Sequence, residues 1–190
     1  YDQFYNEHIY IFSLLSIKYL LKRYNLEVFN IEKLSTHGGS LRYYIKRISN
    51  NKFKINKKVK VQLDQELNFG LHKYSTYIKF KNNVETSKKR LIEIFSRLKN
   101  RNKTIIGYGA TAKVNTVLNF CKIKNETLDY FLDTTPNKTG KFMPGSHLYI
   151  QKYNKSSTNK IDYIFLGAWN FKEEIFKKEK KYIKRGGKFI

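Results

Sequence analysis

Cysteine, proline and long apolar runs are scarce in this sequence. The single cysteine, Cys121, excludes an intramolecular disulfide and a zinc site built from several cysteines, which is typical of proteins from a reducing compartment. No segment approaches the roughly 18–20 uninterrupted apolar residues of a membrane span, and none has the pattern of a signal peptide. A cytoplasmic protein without a membrane partner is therefore expected.

Acidic residues are also few: the sequence has 15 Asp and Glu and 38 Lys and Arg, which gives a net charge of +23. Such an excess is typical of proteins that bind nucleic acid or an anionic membrane. It also arises from a lysine-rich genome composition. The basic residues are spread along the chain, with runs at 50–58, 88–90 and 177–181, and do not gather beside one aromatic-rich motif. The spread favours compositional bias, and a nucleic-acid partner is not expected.

A hydrophobic content of 41% over 190 residues is enough for a packed core. Residue 1 is Tyr, so a piece of a longer polypeptide is expected. Ser13 can cap a helix that runs to Asn25, and strands are predicted at 26–34 and 41–48. One helix and two strands are too little to fold alone, so this part is expected to close a larger α/β domain.

Beyond residue 48 the pattern changes. A polar stretch leads into predicted helices at 61–71 and 74–99, and after residue 100 strands alternate with helices. This alternation predicts a parallel, Rossmann-like sheet. The predicted strands are 104–108, 128–132, 147–150, 163–168 and 188–190, and the predicted helices are 111–121 and 171–184.

A glycine turn joins the first of these strands to its helix. Gly107, Gly109 and Ala112 form the G-x-G-x-x-A pattern that presents helix N–H groups to an anion, although a purely structural turn is the alternative. Lys113 can reach a bound phosphate or lie exposed on the helix. Asp133, at the end of the next strand, can hold a ribose hydroxyl or cap the turn that follows.

Chemistry near neutral pH is suggested by Tyr5, Glu7 and His8. Histidine is the usual base in this range, a neighbouring carboxylate can orient it, and a tyrosine can donate to a developing oxyanion. Packing of His8 within an aromatic cluster is the alternative, because neighbours in sequence often point apart.

Two further polar stretches are candidates for ligand contacts. The turn containing His37 is rich in glycine, so its backbone can approach a ligand or simply connect two strands. Trp169 and Asn170 follow a predicted strand at the position where open α/β sheets bind ligands, although a lone Trp also suits a core. His72 and His147 lack partners at metal-ligand spacing, so no metal site is expected.

Taken together, these segments resemble the C-terminal half of the sugar C-methyltransferases, which use S-adenosylmethionine to methylate a keto-sugar carried on a nucleoside diphosphate. The matching pieces keep the same order and cover nearly the whole chain. They are residues 5–8, 12–13, 36–42, 107–113, 115–116, 128–130, 133, 136–138, 144–145, 168–171 and 185–189.

The resemblance implies three modules in a full-length enzyme: a zinc-binding domain, a central S-adenosylmethionine-binding domain and a C-terminal Rossmann-like domain that helps to hold the nucleotide-sugar. Residues 1–48 would then be the last helix and strand pair of the methyltransferase fold, 49–100 a linker with helices, and 101–190 the Rossmann-like substrate domain. The chain has no cysteine cluster and no glycine-rich donor loop before Tyr5. S-adenosylmethionine is therefore expected to bind mainly to a domain that this chain lacks.

The resemblance also implies roles for individual residues. His8 would remove the proton beside the sugar ketone, Glu7 would orient or share charge with it, and Tyr5 would hold the sugar or the enolate oxygen. The expected substrate contacts are His37, Gly107, Gly109, Lys113, Asn115, Asp133 and Asn170. A non-catalytic nucleotide-sugar binding module and a basic nucleic-acid-binding protein are the alternatives. An NAD-dependent oxidoreductase is disfavoured, since no hydride-transfer site is evident.

Overall fold

The computed structural model describes residues 1–190. These residues divide into two compact units. Residues 10–83 form one, called here the hairpin unit, and residues 1–9 together with 84–190 form the other, called the sheet unit. None of the helices combines the length and the apolar content that crossing a membrane would require.

The hairpin unit contains helix α1, a pair of strands and helix α2. Their bounds are α1 Leu14–Lys22, β1 Leu26–Leu34, β2 Ser40–Arg47 and α2 Lys57–Phe69. β1 and β2 pair antiparallel, so the helix and the strand pair predicted for the first 48 residues are confirmed. Helix α3, Tyr74–Lys99, begins in this unit and continues in the sheet unit, with the bounds that its periodicity predicts.

The start of α1 is fixed twice. Ser13 forms a capping box with Ser16, which satisfies N–H groups that the helix itself leaves without partners. The carboxylate of Glu66, from α2, accepts the N–H of Leu14 at 2.9 Å and of Leu15 at 2.8 Å. Because Glu66 is buried, it ties α2 to the first turn of α1. The apolar core around this contact consists of Leu14, Leu21, Val28, Ile31 and Val59.

The sheet unit is built on five parallel strands, and the predicted Rossmann-like sheet is thereby confirmed. They are β3 Ile105–Tyr108, β4 Phe131–Asp133, β5 Ile150–Lys152, β6 Tyr163–Leu166 and β7 Lys188–Phe189. Their order is β5-β4-β3-β6-β7, and all the pairings are parallel. The chain therefore proceeds outward from β3 on one side and then returns to add β6 and β7 on the other. This reversal beside β3 is the point at which open α/β sheets bind ligands.

Helices cover both faces of this sheet. Helix α4, Ala112–Cys121, and the end of α3 pack on the face that holds Ile105. Ile106 points to the other face, together with residues of α5, Lys172–Lys178, and α6, Lys180–Lys184. Alternation along β3 thus divides the apolar side chains between two cores, as expected for a parallel sheet covered on both faces.

Several elements differ from their predicted bounds. The first helix ends at Lys22 rather than Asn25, and the helix predicted for 61–71 is found at 57–69. The strand predicted for 147–150 is found at 150–152, because His147 adopts a left-handed φ of 56° that no strand contains. The strand predicted for 128–132 is formed by 131–133. The helix predicted for 171–184 is divided at Glu179, whose buried carboxylate accepts hydrogen bonds from the Tyr108 and Thr158 hydroxyls, both at 3.3 Å.

Candidate functional site

Other residues of the sheet unit pack closely against the glycine turn after β3. Gly109 has a φ of +83°, and a Cβ there would lie 2.5 Å from the Cβ of Ala168. A Cβ on Gly107 would lie 2.2 Å from the ring of Phe131. Gly109 is therefore required for the turn, as predicted, while Gly107 is required because an aromatic ring covers it. Thr111 caps α4, since its hydroxyl accepts the N–H of Val114 at 3.2 Å.

Asp133 connects this turn to the loop after β4. Its Oδ2 accepts the N–H of Ala110 at 2.8 Å, and its Oδ1 accepts the N–H of Thr135 at 2.8 Å. Burial by itself would raise the pKa of Asp133, but the hydrogen bonds from Thr135 and Ala110 and the charge of Lys138 outweigh it and hold that pKa below its usual value. The carboxylate thus caps the turn that follows β4, which was the alternative to a ribose contact. It also fixes the position of the glycine turn.

A cleft of about 310 Å³ opens beside these two loops. The carboxyl ends of β3, β4 and β6 and the exposed side of α5 form its walls, which include Asp133, Thr135, Lys138 and Lys178. The Lys138 ammonium lies 3.5 Å from Asp133, and the Lys178 ammonium lies 3.7 Å from the centre of the Tyr153 ring. The carboxylate of Glu174 also lines the cleft, so two ammonium groups that suit an anionic ligand stand beside two carboxylates and the threonine hydroxyls of the loop.

Tyr5 and His8 form a second cluster of polar groups in the sheet unit. The Tyr5 hydroxyl lies 3.0 Å from His8 Nε2, and His8 Nδ1 lies 3.0 Å from the carbonyl oxygen of Gln3. A carbonyl oxygen can only accept, so Nδ1 carries the proton and Nε2 presents its lone pair to the tyrosine hydroxyl. Glu7 is exposed, while the rings of Tyr5 and His8 are half-buried and their centres are 4.1 Å apart.

Residues 1–9, called here the N-terminal strip, are anchored to the sheet unit by their neighbours in space. The hydroxyl of Thr116 on α4 donates to the carbonyl of Phe4 at 3.1 Å. The indole Nε1–H of Trp169 donates to Asp2 Oδ2 at 2.6 Å. The strip therefore lies against the helix that starts at the glycine turn and against the turn that follows β6.

The other residues expected to contact substrate are dispersed. Lys113 is buried, with its ammonium 4.9 Å from the centre of the Trp169 ring, so the alternative of an exposed helical lysine is wrong. Asn115 has a buried Oδ1 without a hydrogen-bond partner, and Asn170 is exposed in the short 3₁₀ turn after β6. His37 is exposed in the hairpin unit, in a 3₁₀ turn where its φ is 56°.

Gly109 and Asp133 therefore line one cleft, Tyr5 and His8 contact each other, and Lys113 contacts Trp169. Asp2, Lys138 and Lys178 were not among the residues singled out from the sequence. Lys138 could have been found from the sequence, because it follows the end of a predicted strand and lies within the matching segment 136–138. Asp2 and Lys178 had none, since their positions depend on contacts distant in sequence. No group of three or more His, Cys, Asp or Glu side chains is arranged to hold a metal ion.

Two comparisons with known proteins agree. Residues 35–190 match the family model described as C-methyltransferase C-terminal domain. The whole chain is also 30% identical, over 190 residues, to C-methyltransferase NovU of Streptomyces niveus. The chain covers 45% of the length of that relative.

Proposed function

Since the chain belongs to the family of C-methyltransferase C-terminal domains, we propose that it forms the C-terminal part of an S-adenosylmethionine-dependent C-methyltransferase. The substrate is a keto-deoxysugar carried by a nucleoside diphosphate. The polypeptide that joins these residues to a donor-binding domain is called the intact enzyme below. The observation that carries the proposal is the hydrogen-bonded pair of Tyr5 and His8 in the sheet unit.

His8 acts as the base through Nε2. Its Nδ1–H is held by the Gln3 carbonyl, so the neutral ring keeps its lone pair on the nitrogen that faces Tyr5. A carbon next to a ketone is acidic enough for an imidazole to remove its proton, because the negative charge moves to the ketone oxygen. After proton transfer both ring nitrogens are donors, and the Gln3 carbonyl continues to stabilise Nδ1–H.

Tyr5 supplies the hydrogen bond to the enolate oxygen. In the structure its hydroxyl lies 3.0 Å from Nε2, and once that nitrogen holds the substrate proton the hydroxyl is released to donate to oxygen. Donors aimed at developing charge are among the largest contributions to catalysis. Glu7 is exposed beside this pair in sequence, and we assign it the role of orienting His8.

The nucleoside diphosphate occupies the cleft at the carboxyl edge of the sheet. Lys138 and Lys178 offer positive charge to the phosphates, and Asp133 is placed at the strand end where such folds often hold a ribose hydroxyl. Gly109 contributes by allowing the turn that lines the cleft. Gly107 supports the fold, and Lys113 and Asn115 stand at the start of α4. Asn170, in the sheet unit, and His37, in the hairpin unit, are each kept as proposed substrate contacts.

The family implies that S-adenosylmethionine supplies the methyl group. The glycine turn does not suit it, because Gly107 is covered by Phe131, Gly109 contacts Ala168, and the N–H of Ala110 is already bound to Asp133. The donor is accordingly assigned mainly to residues outside these 190, as the resemblance implies.

The test is His8→Asn in the intact enzyme. Asn can still donate to the Gln3 carbonyl, but it has no basic nitrogen, so kcat should fall by about 100- to 10,000-fold while affinity for the nucleotide-sugar is kept. The matched control is His147→Asn, since His147 is exposed and its φ of 56° suits Asn. Methyl transfer at the wild-type rate by the His8 variant would remove His8 from the mechanism. Nucleotide-sugar binding without turnover in any intact form would favour the non-catalytic module.

A further inference from the structure

The N-terminal strip contains no helix or strand, so no ladder of backbone hydrogen bonds sets the position of Tyr5 and His8. Their position depends on side-chain anchors between the strip and the rest of the sheet unit. Reacting groups must be held within a fraction of an ångström, because displacement by about 1 Å can cost about 100-fold in rate. The anchors of the strip are thus candidates for a role in the reaction.

Trp169 makes one of these anchors through a short hydrogen bond. Its indole N–H donates to Asp2 Oδ2 at 2.6 Å, and the side chain of Asp2 is only 20% exposed. A bond from N–H to a carboxylate is charge-assisted and stronger than the neutral one between Thr116 and the Phe4 carbonyl. Tyr1 adds a packing contact, with its ring centre 5.4 Å from that of Phe120.

Trp169 is itself held in place. It directly follows Ala168, which contacts Gly109, and the ammonium of Lys113 lies 4.9 Å from the centre of its ring. Lys113 is buried in the first turn of α4, and its cation–π contact restrains the indole, which is 42% exposed. Its N–H is directed at the strip.

We infer that Trp169 is a positioning residue for the Tyr5–His8 pair: its indole N–H holds the carboxylate of Asp2, and Asp2 in turn holds the N-terminal strip against the end of β6. Trp169 acts through Asp2 and touches no reacting atom. The consequence for catalysis rests on the proposed function, whereas the anchoring itself does not.

The anchoring is tested on the 190-residue chain by NMR. Trp169 is the only tryptophan, so its indole N–H gives a single, assignable signal. In Asp2→Ala we expect that signal to move upfield and the exchange of the indole proton with solvent to accelerate. In Asp2→Asn, which keeps an acceptor oxygen, the signal should stay near its wild-type position. Asp64→Asn, an exposed acid in the hairpin unit, is the control. An unchanged indole signal in Asp2→Ala overturns the inference.

The same spectra report on His8. Wild type should show the tautomer protonated at Nδ1, whereas Trp169→Phe and Asp2→Ala should show the mixture of tautomers of a solvated histidine. His8→Asn identifies the signal among the 4 histidines. A wild-type tautomer in both variants overturns the inference, because it would mean that the strip is held without this bond.

Catalysis is tested in the intact enzyme. Trp169→Phe and Asp2→Ala should each lower kcat about 10- to 100-fold with KM for the nucleotide-sugar nearly unchanged, and the double variant should be no worse than either. Asp2→Asn should restore most of kcat, and Phe142→Leu, at an exposed aromatic of the sheet unit that does not line the cleft, should have no effect. Additive losses, or a change in KM alone, overturn the inference. If His8→Asn is fully active while the NMR results hold, the proposed function fails and the anchoring stands.

Discussion

Replacement of Asp133 by Asn tests how the two loops at the carboxyl edge of the sheet are joined. The carboxylate accepts two backbone N–H groups, each at 2.8 Å, and the residue is 7% exposed. Asn keeps the shape of the side chain but offers one acceptor oxygen in place of two. One N–H, from Ala110 or Thr135, would therefore face an amide N–H₂ group.

The expected cost follows from these contacts. A hydrogen bond to a charged group contributes about 1.5–3 kcal/mol, and a buried donor left without a partner costs a similar amount. The Lys138 ammonium, 3.5 Å away, adds little because its side chain is 40% exposed. We expect Asp133→Asn to lower the free energy of unfolding of the sheet unit by about 2–3 kcal/mol at pH 7.

Urea unfolding followed by the fluorescence of Trp169 measures this quantity, since the only tryptophan lies in the same unit as Asp133. The pKa of Asp133 is lowered in the folded protein, so its contribution is present above the pKa of an unfolded Asp, about 3.9. That contribution is lost as pH falls through the lower folded pKa. The difference between wild type and variant should hence shrink below about pH 4.

The control is Asp129→Asn, which removes an exposed ion pair with Lys99 at 3.3 Å and should cost no more than about 1 kcal/mol. Equal stability of wild type and Asp133→Asn at pH 7, or a difference that persists unchanged at pH 3, would refute the assigned hydrogen bonds.

Two further substitutions test the turn and the cleft. Gly109→Ala and Gly140→Ala share the strain of a positive φ, +83° and +79°, but only the Cβ at position 109 would meet Ala168. We expect Gly109→Ala to lower the free energy of unfolding in urea by about 1–3 kcal/mol more than Gly140→Ala. Equal losses of stability would show that the contact with Ala168 is unimportant. Lys178→Gln should weaken nucleoside diphosphate binding, measured by calorimetry, about 3- to 10-fold and reduce its salt dependence, because a phosphate contact is lost. Lys177→Gln on the same helix should leave the affinity unchanged, and identical affinities for both variants would place the phosphates elsewhere.

Local patterns in the sequence were sufficient for much of the fold. Ser13 marked the start of α1, periodicity gave α3 its bounds, and strands alternating with helices gave the parallel sheet. These features depend on neighbours within a few positions along the chain, so they can be predicted without a structure.

What the sequence did not reveal depends on contacts between distant residues. Glu179 interrupts a continuous helical pattern because Tyr108 and Thr158 hold its carboxylate. The ring of Phe131 gives Gly107 a packing role that the glycine pattern alone does not distinguish from ligand contact. Asp2 and Trp169 lie at opposite ends of the chain, and no periodicity connects them.

The proposed site could be predicted from the sequence only in part. Tyr5 and His8 were paired by their spacing and the resemblance, and the structure places their side chains within hydrogen-bond distance. The role of the Gln3 carbonyl was not foreseeable, because backbone groups carry no signature in sequence. Their roles in methyl transfer remain proposals that only chemistry on the substrate can test.

Proton exchange at the substrate carbon tests the central claim most directly. The intact enzyme is mixed in D₂O with the nucleotide-linked keto-sugar and with S-adenosylhomocysteine, which fills the donor site but has no methyl group to transfer. The wild type should introduce deuterium at the carbon beside the ketone, and His8→Asn should bind the sugar nucleotide without introducing it. Exchange at the wild-type rate by His8→Asn would contradict the assignment of His8 as the base.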